Sequence, residues 1–130
     1  MTPGIRTFGL RKVDEQMGVF ERELERLRKT QDEEPVHKLR VSIRRLQQAL
    51  RVFGQFVDSK ASKRIRGDLR GLMKLAGSVR EHDICLQLIT EAKLPPEEVT
   101  EEREIGRRKL EKAAAKFSTN DWRERLGIAG

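Results

Sequence analysis

Leu10, Val13, Met17, Phe20, Leu24 and Leu27 succeed one another in steps of three and four. Only an α-helix gathers that spacing onto one face, and an apolar face of this length needs other helices to cover it. The pattern predicts a helix from Ile5 to Lys29, clothed outside by the mixed-charge run Glu21–Arg26, where Glu21 and Glu25 share a solvated face. Thr30–Glu34 reads as a polar connection. Pro35 then stands in the first turn of a second helix, where proline is tolerated, with acids before it at the positive end of the helix dipole.

The same periodicity recurs three more times. A helix from Pro35 to Val57 carries Leu39, Ile43, Leu46, Leu50 and Phe53 on its buried side, and one from Lys60 into Leu86–Ile89 carries Ile65, Leu69, Leu72, Leu75, Ala76 and Val79. Leu94–Pro95–Pro96 breaks the chain before a fourth helix from Glu97, whose stripe of Val99, Ile105, Leu110, Ala113, Ala114 and Phe117 is thinner. Ser118–Thr119–Asn120–Asp121 offers a cap for a short last helix bearing Trp122 and Leu126. Long helices with short connections pack antiparallel. The expected architecture is all-α: an antiparallel four-helix bundle with a short C-terminal helix, residues 1–130 forming one domain.

Charge is where the sequence speaks of function. Between Val36 and Arg80 stand 12 Lys or Arg and only two acids, Asp58 and Asp68, while the chain as a whole carries +7. A device for general solubility would be spread more evenly, so the local excess points to an anionic partner. At 100° per residue, His37, Arg40, Arg44, Gln47, Gln48 and Arg51 share the side of the second helix opposite its apolar face, with Lys38 and Arg45 on one flank. On the third helix Arg66, Arg70, Gly77 and Arg80 form a row beside the apolar face, with Lys63 and Lys74 on one shoulder. Arginine suits phosphate because its planar fork donates two parallel hydrogen bonds and stays charged. The second-helix row runs along a line of about 21 Å, a length that suits an extended polyanion better than one small phosphate ester. Gly71 and Gly77 interrupt the third helix, and close approach of a backbone or ligand is the expected reason.

Other function classes find less support. Non-specific nucleic-acid binding is the alternative reading, since phosphate contacts alone do not distinguish polymers. Single-strand binders add aromatic stacking platforms, yet here Phe20, Phe53 and Phe117 fall on predicted core faces. The only histidines, His37 and His82, lie on different helices, and the neighbours His82 and Asp83 point about 100° apart. No phosphate loop, zinc spacing or nucleophile elbow occurs, so neither enzymatic activity nor a metal or other cofactor is expected. Cys85, the lone cysteine, lies among apolar neighbours and excludes an internal disulfide. The first residues lack the apolar core of a signal peptide, and no run approaches the ~18 apolar residues of a membrane span, which makes the cytoplasm the expected compartment.

Two stretches carry a family resemblance. Val36–His37–Lys38–Leu39–Arg40–Val41–Ser42–Ile43–Arg44–Arg45–Leu46, continuing to Leu50 and Phe53, resembles the signature of the CHAD family, the conserved histidine α-helical domain. Leu69 to Asp83 (LRGLMKLAGSVREHD) is similar to that family's later motif. The resemblance implies an all-helical fold that binds inorganic polyphosphate through basic residues lining a groove. His37, Arg40, Arg44, Arg45 and Arg51, with Lys63, Arg66, Arg70, Lys74 and Arg80, would then be the binding residues. Association with polyphosphate granules is a corollary. Family members usually have about twice this length and two bundles, so the resemblance further implies a half-domain that completes its groove as a homodimer, or a fragment. Gln47 stands at a position often basic in the family, and Arg80–Glu81–His82–Asp83 replaces a more usual Arg-Asp pairing.

Overall fold

A computed structural model describes residues 4–30 and 33–128. Its long helices are α1 (Gly4–Lys29), α2 (Glu33–Val52), α3 (Ser59–Glu91) and α4 (Glu97–Lys116), followed by the short α5 (Trp122–Leu126). No strand occurs among the described residues. Each long helix packs against the next, and α4 closes the bundle against α1.

The core is the set of stripes read from the sequence. Val13, Met17, Phe20, Leu24 and Leu27 of α1 meet Leu39, Ile43, Leu46 and Leu50 of α2 and Ile65, Leu69, Leu72, Ala76 and Val79 of α3. Each large side chain removed from water in this way contributes roughly 1.5–3 kcal/mol. Of the apolar side chains of α4 only Leu110 and Ala114 are fully buried; Ile105 stays 45% exposed. The deficit is made up by Trp122, which stacks on Phe20 with 6.0 Å between centroids, and by Phe117, edge-on to both rings.

α2 was expected to reach Val57 and stops at Val52. Phe53 turns its ring onto α1, where Gly9 makes room: a Cβ there would lie 2.6 Å from Phe53 Cδ1. Phe8 adds an edge contact at 5.8 Å, and the chain continues as one 3-10 turn over Gly54–Phe56. Asp58 then starts α3, its carboxylate accepting from the Ala61 amide at 2.9 Å, and its own amide donates to Leu126 O, which ties down α5. α3 closes at Lys93, which takes the left-handed conformation (φ 58°) while the Leu94 amide donates to Ile89 O.

The cap expected from Ser118–Asp121 is not made by the Asp121 side chain. The Thr119 hydroxyl instead donates to Glu21 on α1 at 2.5 Å. Glu21 therefore does not merely share a solvated face with Glu25. It also accepts from Arg123 at 2.8 Å, and Arg123 reaches Asp14 at 2.6 Å, so the group staples α5 to α1. Burial disfavours the charged form of Glu21, but the hydrogen bonds from Arg123 and Thr119 and the charge of Arg123 outweigh it, and its pKa lies below the ordinary value. The bonds to Glu21 and then Asp14 hold Arg123 still more firmly protonated.

Candidate anion-binding furrow between α2 and α3

The two basic rows meet because each helix has its other flank occupied. Arg45, Gln48, Ala49 and Val52 of α2, with Phe53 just beyond its end, line a furrow with Lys12 and Gln16 of α1. On α3, Lys74, Leu75, Ser78 and His82 line a second one with Glu102, Gly106 and Lys109 of α4. By helical periodicity the opposite flanks face one another. They carry Arg40, Arg44, Gln47 and Arg51 on α2, and Arg66, Arg70, Gly77 and Arg80 on α3. Arg40, Gln47, Arg66, Gly77 and Arg80 are half-buried along this seam, while Arg44, Arg51 and Arg70 are exposed.

No described carboxylate lies in ion-pair range of any arginine on α2 or α3. The arginines that have carboxylate partners are Arg26 and Arg28 on α1, Arg103 and Arg107 on α4, and Arg123 and Arg125 on α5. The two acids of the basic segment are turned away. Asp58 caps α3, and Asp68 lies beside Gly71, Ala113 and Phe117 on the α4 side. Arg66 Nε makes a long bond, 3.4 Å, to Ser62 O on its own helix. Arg40 Nε is buried without a hydrogen-bond partner. The furrow therefore presents guanidinium groups that no described carboxylate engages, those of Arg44, Arg51 and Arg70 open to an incoming acceptor.

The remaining expected residues fall elsewhere. His37 is exposed on the outer ridge of α2, and Lys63 is exposed on the outer shoulder of α3. Arg45 and Lys74 belong to the α1–α2 and α3–α4 furrows described above, so they flank the site rather than line it. No backbone approaches Gly71 or Gly77: a Cβ at either would meet no protein atom within 4 Å. His82 and Asp83 do point apart. His82 Nε2 lies 3.6 Å from Glu102, while buried Asp83 pairs with Arg103. Among the described residues no cluster of His, Cys, Asp and Glu could hold a metal ion.

Sequence reasoning missed the buried polar side of α4. Arg107 is only 3% exposed, and it donates to Glu111 at 3.1 Å and to Thr30 O. The signal was present, since 103, 107, 110 and 114 continue one stripe in steps of four and three. A concavity of about 870 Å³ between α1 and α4 includes the acids Glu25 and Glu111, and its Arg28 already donates to Ala114 O at 2.7 Å and to Phe117 O at 3.1 Å. It is not built for a phosphate.

Among the described residues no helix is long and apolar enough to cross a membrane. No curated protein and no solved structure matches the chain. Compared with known families, residues 11–126 match the CHAD domain, a span that runs from the first turns of α1 to the end of α5. With nearly the whole bundle covered, the chain belongs to the CHAD domain family.

Proposed function

We propose that this protein binds inorganic polyphosphate along the α2–α3 furrow, without chemical change to the polymer. The observation that carries this reading is the convergence of six unpaired arginines, Arg40, Arg44, Arg51, Arg66, Arg70 and Arg80, on one seam from which both nearby acids are turned away. CHAD family membership supports it, since that domain is associated with polyphosphate binding. Guanidinium forks grip successive phosphates, counterions leave the polymer, and affinity falls with salt. The open space at Gly77 leaves room for the polymer between the two rails. His37 and Lys63 lie on the outer margins, and Arg45 and Lys74 extend the positive field to either side. A polymer longer than the furrow reaches a second copy, so two furrows can pair around one chain although bare furrows repel. A soluble, cytoplasmic protein associated with polyphosphate granules fits this activity.

Nucleic acid offers the same charge but asks for stacking surfaces. Phe20, Phe117 and Trp122 pack on one another in the core, and Phe8 and Phe53 pair at the far end of α1. Phe56 alone, half-buried in the 3-10 turn that joins α2 to α3, stands outside these pairs, so the furrow has no row of stacking platforms. The test is a competition titration near physiological salt among long-chain polyphosphate, heparin and single-stranded DNA. Polyphosphate should displace the other two at substoichiometric concentration. Equal competition by all three would reduce the furrow to a general cation-rich surface.

A further inference from the structure

The large apolar side chains left in solvent gather mainly at the two ends of the bundle. Ile5, Phe8 and Val52 are 64%, 55% and 62% exposed where α1 begins and α2 ends. Ile84, Leu88 and Leu94 are 44%, 59% and 56% exposed at the far end of α3 and in the connection to α4. These ends are opposite. Gly9 packs on Phe53 at one, whereas Arg107 of α4 reaches Thr30 O near the other. The second end also projects. α3 has 33 residues against 20 in α2, a difference of about 20 Å at 1.5 Å per residue, so the α3–α4 hairpin extends past the α1–α2 connection.

Charge decides what could cover these faces. The projecting hairpin, residues 81–104, carries eight acids and two bases, and one of the bases, Arg103, is engaged by Asp83. The opposite end has no acid in residues 4–13 or 45–52, and Arg6, Arg11 and Arg45 are exposed there. Two acidic tips repel, as do two basic ends, so either symmetric pairing opposes its own charge. A tip set against the basic end of another copy joins apolar to apolar and acid to base. The basic end is also concave: the α1–α2 furrow there, about 230 Å³ with Val52 and Phe53 in its wall, has space for a leucine side chain.

We infer that the α3–α4 tip of one copy seats in the α1–α2 end of a second copy, through Leu88 and Leu94 against Val52 and Phe53. The contact is heterologous, so copies add head to tail and form open strings. It leaves the α2–α3 furrow free and does not depend on what that furrow binds.

The experiment is sedimentation equilibrium on the chain alone, with no polyanion, at low ionic strength. Weight-average mass should rise with concentration, at least roughly twofold as copies join, and fall back when salt screens the contact. Leu88→Asp and Val52→Asp are both surface changes, and circular dichroism will check that each variant keeps its helicity. Each should sediment as a single chain. Mixed one to one they should form a species of twice that mass and no larger, because each variant retains one working end. A wild type that stays at single-chain mass overturns the inference, as does a mixture that fails to pair. Loss of association in only one of the variants would mean that like ends pair symmetrically, which overturns it equally.

Discussion

Replacing Arg40 and Arg44 together by alanine should weaken polyphosphate binding at fixed salt by about a hundredfold or more. The figure follows from two charge-assisted hydrogen-bonding groups at roughly 1.5–3 kcal/mol each. The salt dependence is the sharper readout. Six arginines on the furrow, each releasing about 0.7 counterion equivalents from a single-stranded polyanion, give a slope of about −4 in log affinity against log salt. A fourfold rise in salt then costs the wild type about 300-fold in affinity, and the double variant, with four arginines, about 50-fold. Fluorescence titration against long-chain polyphosphate at a series of salt concentrations measures both quantities. The matched control is Arg22→Ala with Arg108→Ala, two exposed arginines on α1 and α4 without a carboxylate partner in range. If the control loses as much affinity and slope as the furrow variant, attraction is spread over the whole surface and the reasoning fails.

Three further outcomes bear on the fold. The pKa of Glu21 is lower folded than its ordinary value of about 4.3, so its contribution to stability is complete above that pH and fades as pH falls through the folded pKa. Glu21→Gln should therefore melt below the wild type at neutral pH and converge with it as pH falls through the folded pKa, and thermal melts showing a constant gap would refute the assignment. The glycines divide by their surroundings. Gly9→Ala drives a methyl group into Phe53 and should cost about 1–3 kcal/mol. Gly71→Ala enters open space on an exposed helix and should stabilise by about 0.5–1 kcal/mol, as urea denaturation will measure.

What was legible in the sequence was whatever a single helix decides for itself. Leu39, Ile43, Leu46 and Leu50 are buried because their spacing leaves them one face, and Arg40, Arg44 and Arg51 lie opposite for the same reason. The convergence of those arginines with Arg66 and Arg80 was visible only as two separate rows, one on each helix. Which flank of α2 met which neighbour depended on the bundle, and that separated Arg45 from Arg40. Buried charge was harder to read. Asp83 is buried because Arg103, 20 residues away, supplies its partner, and Glu21 is held by Arg123, 102 residues away. The end of α2 at Val52 was likewise set from outside, by the space that Gly9 leaves for Phe53 on another helix.

The unpaired state of the furrow cannot be put down to a shortage of acids. The chain has 21, and it uses them to hold arginines on α1, α4 and α5, while α2 and α3 place theirs at a cap or toward α4. Exposed guanidinium groups such as Arg44 and Arg70 cost little in this condition, because water and salt screen them within about 8 Å. Arg40 differs. Its Nε is buried and has no acceptor, which costs roughly 1–3 kcal/mol for as long as the bond is unmade. A phosphate oxygen meets that nitrogen once the side chain turns it outward, which removes the cost on binding, whereas at an exposed arginine it only replaces water. On the proposed reading Arg40 is thus the fixed point of the site, and the exposed arginines around it guide the polymer without holding it in register.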